Sequence, residues 1–219
     1  MGVRGHPGYR HFPEGFFSRV DDGDDAGFYA GPRMVTHIDD VAIAGVGTLY
    51  TELGVTGRVL DLMSSWISHF DERPEHLAVL GMNEAELQAN EMANEIAVQD
   101  LNATPTLPWP DAHFDDAVCV VSVDYLTQPL EVFCEVARVL RPNGRFITTF
   151  SNRCFPTKAI RGWMQTNDRM HCEIVAEYFR LTGCFNEPVI KTRVAGRPGD
   201  PLFAVWGERS ASPGTHSTP

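Results

Sequence analysis

The chain has 219 residues, 43% of them hydrophobic, with 18 basic and 29 acidic side chains and a net charge of −11. That length suits one domain burying roughly 70% of its unfolded surface, and the acid excess opposes nucleic-acid binding unless basic residues cluster, which they do not. No apolar run approaches the ~20 residues of a bilayer span, and the N-terminus lacks the apolar centre of a secretory signal, so a cytoplasmic protein without a membrane partner is expected.

Residues 1–28 are rich in Gly, Asp and Arg and read as a loose N-terminal arm, with Asp21, Asp22, Asp24 and Asp25 as a solvated acidic block. From Tyr29 to Leu53 the apolar spacing is helical, and Gly54 follows as a C-cap. Arg58–Leu62 reads as a buried strand ending on Asp61 and running into small polar residues. His76–Leu80 is a second strand, closed by Gly81. Asn83 then N-caps a helix, with Glu86 three residues on, extending to about Glu95. Ile96–Gln99 is a third strand and Asp100 opens its loop. Ala117–Val123, apolar apart from Ser122, reads as a strand, as in the middle of a parallel sheet.

A helix with Phe133, Val136, Ala137 and Leu140 on its apolar face stops at the turn Arg141–Gly144, and Arg145–Phe150 returns as a strand. Ile174, Val175, Tyr178 and Phe179 mark a helix ending at Gly183. Pro188–Val194 and Leu202–Trp206 form an antiparallel hairpin around Gly196–Asp200, and 209–219 reads as a disordered tail. One domain over 29–208 accounts for this order. It is an α/β, Rossmann-like, mostly parallel seven-stranded sheet with helices on both faces and a C-terminal antiparallel hairpin. The five cysteines form no CxxC and read as reduced thiols. The eight histidines form neither HxxxH nor HxH, so no metal is expected.

Val59-Leu-Asp-Leu62, Asp100-Leu-Asn102, Leu107-Pro-Trp-Pro-Asp111 with Phe114-Asp115, and Glu135-Val-Ala-Arg-Val-Leu-Arg-Pro-Asn-Gly-Arg145 occur in an order that resembles the class I S-adenosylmethionine-dependent methyltransferases, especially the type-11 branch. The resemblance covers about residues 57–150. Two departures stand out. Met63, Ser65 and Ile67 hold the places of the family's Gly-x-Gly-x-Gly turn. Gly81 holds that of the acid on the ribose hydroxyls, with Asn83 as the nearest polar substitute.

The resemblance implies S-adenosylmethionine as cofactor, with Asp61 near its ammonium and Asp100 and Leu101 at its adenine. Met63, Ser64, Ser65 and Trp66 would line the methionine end, with Asn83 at the ribose. Asn83 is equally explained as a helix cap, and Trp66 as a core residue. Tyr29, Arg33, Arg153 and Lys158 are candidates for holding a small-molecule acceptor, and His37 or Tyr125 for accepting its proton. Solvated charges and simple packing are the alternatives for these six. Methyl transfer to a small molecule is thus one expectation. The others are a degenerate domain that senses cofactor or binds a partner, and a non-methylating enzyme using the same cofactor. Oligomeric state stays open.

Overall fold

A computed structural model of the protein describes residues 5–195 and 199–211. Seven strands form one sheet: β1 Arg58–Leu62, β2 His76–Gly81, β3 Glu95–Val98, β4 Phe114–Val120, β5 Leu140–Phe150, β6 Val189–Val194 and β7 Leu202–Glu208. Their order is β3-β2-β1-β4-β5-β7-β6. The first five run parallel, and β7 lies antiparallel to both β5 and β6. The helices are α1 Asp25–Tyr29, α2 Asp40–Leu53, α3 Glu84–Gln88, α4 Pro129–Val139, α5 Arg161–Met164 and α6 Asp168–Thr182.

Alternating strand residues face opposite layers. Leu60, Ala78, Leu80 and Phe114 join a core with Phe133 and Val136 of α4 and Val175 and Phe179 of α6. Val59, Leu77, Val79 and Val118 join another with Ala42, Val46, Leu49 and Tyr50 of α2. The fold expected from the sequence is therefore present, with helices on both faces.

Local boundaries differ for identifiable reasons. The helix expected from Tyr29 begins at Asp40: Gly31-Pro32 interrupts the chain, and the Asp39 carboxylate accepts the Ala42 N–H as N-cap at 2.9 Å. Gly54 ends it in the left-handed conformation, as expected. The helix capped by Asn83 stops at Gln88 rather than near Glu95. Beyond it, Asn90 turns inward to donate to the Ser65 carbonyl and the Ser68 hydroxyl. β4 begins earlier than expected, at Phe114. The Arg141–Gly144 turn is absorbed into β5, whose register shifts between Phe114 and Asp116. β6 and β7 pair as the expected hairpin, while residues 196–198 of its turn lie outside the described residues. The expected tail is described as far as residue 211. Arg209 and Ser210 are anchored there by backbone bonds to Gly144 and Cys184, which corrects the disordered reading for these two.

The arm is docked rather than loose. Phe17 is 2% exposed, its ring packed 5.1 Å from Tyr9, 4.9 Å from Phe12 and 6.1 Å from Tyr178 of α6. The backbone N–H groups of Arg161 and Gly162 donate to Ser18 and Phe16 carbonyls. Asp25 is not solvated: it is buried and paired with Arg19 at 2.8 Å and Lys158 at 2.9 Å. Phe17→Ala should therefore cost about 3–5 kcal/mol, the usual loss for truncating a buried phenylalanine. Urea unfolding checks this, and a loss under ~0.5 kcal/mol, typical of a surface site, would mean that the arm is not part of the core.

Candidate active site

A cavity of about 290 Å³ opens at the carboxyl ends of β1 to β4, roofed by residues 29–37 and 153–155. This is the edge at which open α/β sheets carry ligands. Its floor is shaped by an irregular β1–β2 crossover. Residues 63–75 form no helix, and Met63 takes a positive φ of 54° where the resembling family has glycine. The Ser64 N–H donates to the Leu80 carbonyl at 2.8 Å. A Cβ on Gly81 would overlap the Ser64 carbonyl oxygen. The two departures from the family pattern are thus one feature, because the loop that lost its glycines lies on the residue that lost its carboxylate. Val121, at the end of β4, also lines the cavity with a positive φ of 43°, an outlier for a β-branched residue.

Asp61 is buried at the end of β1, accepting from the Ser64 and Ser68 hydroxyls at 2.8 and 2.5 Å. Burial pushes its pKa up to about 6, against the pull of those two hydrogen bonds. The Ser65 hydroxyl donates to Glu86 at 2.6 Å. Asp100 accepts the Asn102 N–H at 2.8 Å, and burial raises its pKa as well. Leu101, Met63, Ser64 and Ser65 share the lining with these groups.

Asn83 lines the cavity too, but its amide is spent. It donates to the Tyr29 and Ala30 carbonyls and accepts the Glu86 N–H. Glu86, one turn further, presents the carboxylate on this wall. Its capping position was legible in the sequence; its place at the pocket was not.

Tyr29, Arg33, His37, Tyr125 and Arg153 also line the cavity. The Tyr125 phenol accepts the Phe155 N–H at 2.8 Å, and burial, with buried Asp124 adding, drives its pKa far up. It can orient a ligand, and its environment is wrong for a proton acceptor. His37 sits at the rim; desolvation by the surrounding groups lowers its pKa, Glu86 opposing and Arg33 assisting. It is therefore neutral near pH 7.

Two expected residues lie elsewhere. Lys158 is buried in the ion cluster with Asp21 and Asp25, behind the wall, where its charge is already met. Trp66 is outside the lining and props the roof, its indole N–H donating to the Val35 carbonyl at 3.2 Å. Conversely, His69, Ser122 and Phe155 line the cavity without a sequence signal that singles them out, and Asp25 and Asn102, which carry no site role in the sequence, join them. Burial and then nearby His37 lower His69 to about 4.

Sheet order, terminal hairpin and a cleft bounded by Asp61 and Asp100 define a Rossmann-like methyltransferase fold. Residues 54–148 match the methyltransferase domain family. No curated protein sequence matches it significantly. Among solved structures it is similar to a methyltransferase of Thermotoga maritima described as a possible histamine N-methyltransferase, at 15% identity and TM-score 0.56, covering 78% of this chain and 91% of that one. It is also similar to the Burkholderia thailandensis 1,6-didemethyltoxoflavin N1-methyltransferase bound to 1,6-didemethyltoxoflavin and S-adenosylhomocysteine, at 15% identity and TM-score 0.57, covering 78% and 79%. The [4+2]-cyclase SpnF aligns at 13% identity and TM-score 0.56, covering 85% and 92%. At these identities the likeness concerns the fold.

Asp61 carries a sign that can be measured. Its folded pKa exceeds the ordinary 3.8, so its ionisation opposes folding, an effect absent below about pH 4 and complete above about pH 6. Asp61→Asn should gain stability relative to the wild type as pH rises from about 4 to about 7, on the order of 2–3 kcal/mol. A pH-independent difference in urea unfolding would show that the carboxylate is not held in this desolvated state.

Proposed function

We propose that the protein binds S-adenosylmethionine in this cavity and transfers its methyl group to a small organic acceptor. The observation that carries the reading is the placement of Asp61 and Asp100 on one cavity, at the ends of β1 and β3. The donor set fits the cofactor. Asp61 gains a counter-charge from an ammonium, which relieves the cost of its buried carboxylate. Asp100 accepts from the adenine amino group beside Leu101, and Glu86 takes the ribose hydroxyls in place of the acid missing at Gly81. Ser64 and Ser65 act through the carboxylates that they bond, and Asn83 fixes the first turn of α3.

When bound, the cofactor supplies a methyl group activated on a sulfonium. The protein contributes alignment and water exclusion, the main need of a direct displacement. Tyr29, Arg33 and Arg153 frame the acceptor, Tyr125 and Phe155 offer rings stacked at 5.8 Å, and neutral His37 takes the acceptor's proton where the attacking atom carries one. A cavity of about 290 Å³ in a protein of net charge −11 favours small acceptors over nucleic acid.

The rebuilt loop at 63–67 favours one second reading, a non-catalytic domain that has kept the fold. Calorimetry with S-adenosylhomocysteine separates the two. Wild-type protein should bind it, and Asp100→Ala should weaken binding about 10- to 100-fold, the value of a hydrogen bond to a charged group. Equal affinity in the variant would remove Asp100 from the adenine site. Because the ammonium needs Asp61 ionised, affinity should fall about tenfold between pH 7 and pH 5, and this slope should vanish in Asp61→Asn. A wild-type affinity flat with pH would remove the Asp61 role.

A further inference from the structure

Arg33 is the cavity cation whose charge no carboxylate meets among the described residues. Arg153 pairs with Asp200 at 2.8 Å, Lys158 with Asp21 and Asp25, and Arg19 with Asp25. His37 and His69 both have lowered pKa values and are neutral at pH 7. Arg33 forms no such pair. Of its five N–H donors, the one side-chain bond runs from Nη2 to the Phe28 carbonyl at 2.7 Å. Its backbone N–H, not its guanidinium, reaches Glu86.

The surroundings hold the group in a fixed attitude. Cζ lies 4.7 Å from the centre of the Phe28 ring, 5.6 Å from Phe155 and 5.8 Å from Tyr29. All three rings lie within cation–π range of the guanidinium, and with the single Nη2 bond to the Phe28 carbonyl its other N–H groups have no protein acceptor among the described residues, so one carboxylate could take two of them at once. A half-buried cation in a protein of charge −11 would readily find an internal acid. This one instead stands over aromatic rings at the cavity wall.

We propose that Arg33 is a carboxylate anchor of this cavity, so that an occupant of the site is an organic acid. The inference deepens the function proposed above by naming the chemistry of one ligand end. Two sources share that chemistry: the acceptor, and the methionine end of the cofactor.

The test uses the full chain and its Arg33→Gln and Arg33→Lys variants in calorimetry. The probes are S-adenosylhomocysteine, 5′-methylthioadenosine (which lacks the amino-acid end), and benzoate, 4-hydroxybenzoate and phenylacetate, each with its amide. With the acceptor as source, wild-type protein binds an acid about 10- to 100-fold more tightly than its amide, Arg33→Gln abolishes the preference, and S-adenosylhomocysteine affinity is unchanged. With the cofactor as source, Arg33→Gln weakens S-adenosylhomocysteine by a similar factor and leaves 5′-methylthioadenosine alone. In either case Arg33→Lys, keeping charge without the fork, falls between. Arg33→Gln within twofold of wild type for every probe, or no acid–amide preference together with no loss of S-adenosylhomocysteine, overturns the assignment. Failure of S-adenosylhomocysteine to bind wild-type protein counts against the methyltransferase reading instead; the acid–amide comparison, run without it, then decides Arg33.

Discussion

The backbone of Ser64 lying on Gly81 is the constraint around which the pocket is built. Its N–H is tied to the Leu80 carbonyl and its own carbonyl occupies the space where a side chain at 81 would stand. A carboxylate cannot occupy the end of β2 while this contact exists. The loop in turn needs no run of glycines, because it crosses to the neighbouring strand instead of turning tightly; the strain is concentrated at Met63. The crossover then reaches β2 as irregular chain, held by Asn90 to Ser65 and Ser68 and by the Phe70 ring 4.6 Å from Tyr50. Its serines bond Asp61 and Glu86, so the same loop that removes one acid positions two others.

The roof depends on a different kind of contact. Lys158, Asp25, Asp21 and Arg19 bring four charges together at the base of the arm, and Asn102 ties Asp25 to the loop after β3. Removing one partner from a buried charge cluster leaves another uncompensated, which costs several kcal/mol, while the complete cluster adds little net stability. Its effect is to fix where the arm crosses the sheet edge, and hence where Tyr29, Arg33 and His37 stand over the cavity. The aromatic packing of Phe17 supplies the accompanying apolar burial.

The succession of strands and helices along the chain, the helix caps at Asn83 and Gly54, and the strand ends that carry Asp61 and Asp100 are legible because each rests on local chemistry: apolar runs, a side chain that caps, a glycine that turns left. What was not legible depends on long-range contacts. Lys158 reads as an acceptor ligand or a loop charge and Asp25 as a solvated acid, and only the folded arm shows that they neutralise one another. Asn83 reads equally as a ribose ligand or a helix cap, and only the folded chain shows its amide bonded to the Tyr29 and Ala30 carbonyls. Glu86 was visible as a capping residue, and no spacing rule carries it to the cavity; the tether from Ser65 does. His69 lies in a crossover without periodicity, where sequence offers no register from which to infer a side chain's direction.

The proposed cofactor site departs from the family pattern in its first loop and relies on Asp61, Glu86 and Asp100 for its contacts. The most direct measurement is a crystal structure of the protein with S-adenosylhomocysteine at millimolar concentration. The adenine should lie beside Asp100 and Leu101, the ribose hydroxyls on Glu86 and the ammonium at Asp61, with Ser64 still resting on Gly81. An empty cavity, or a ligand bound with Glu86 turned away and another group on the ribose, would contradict it.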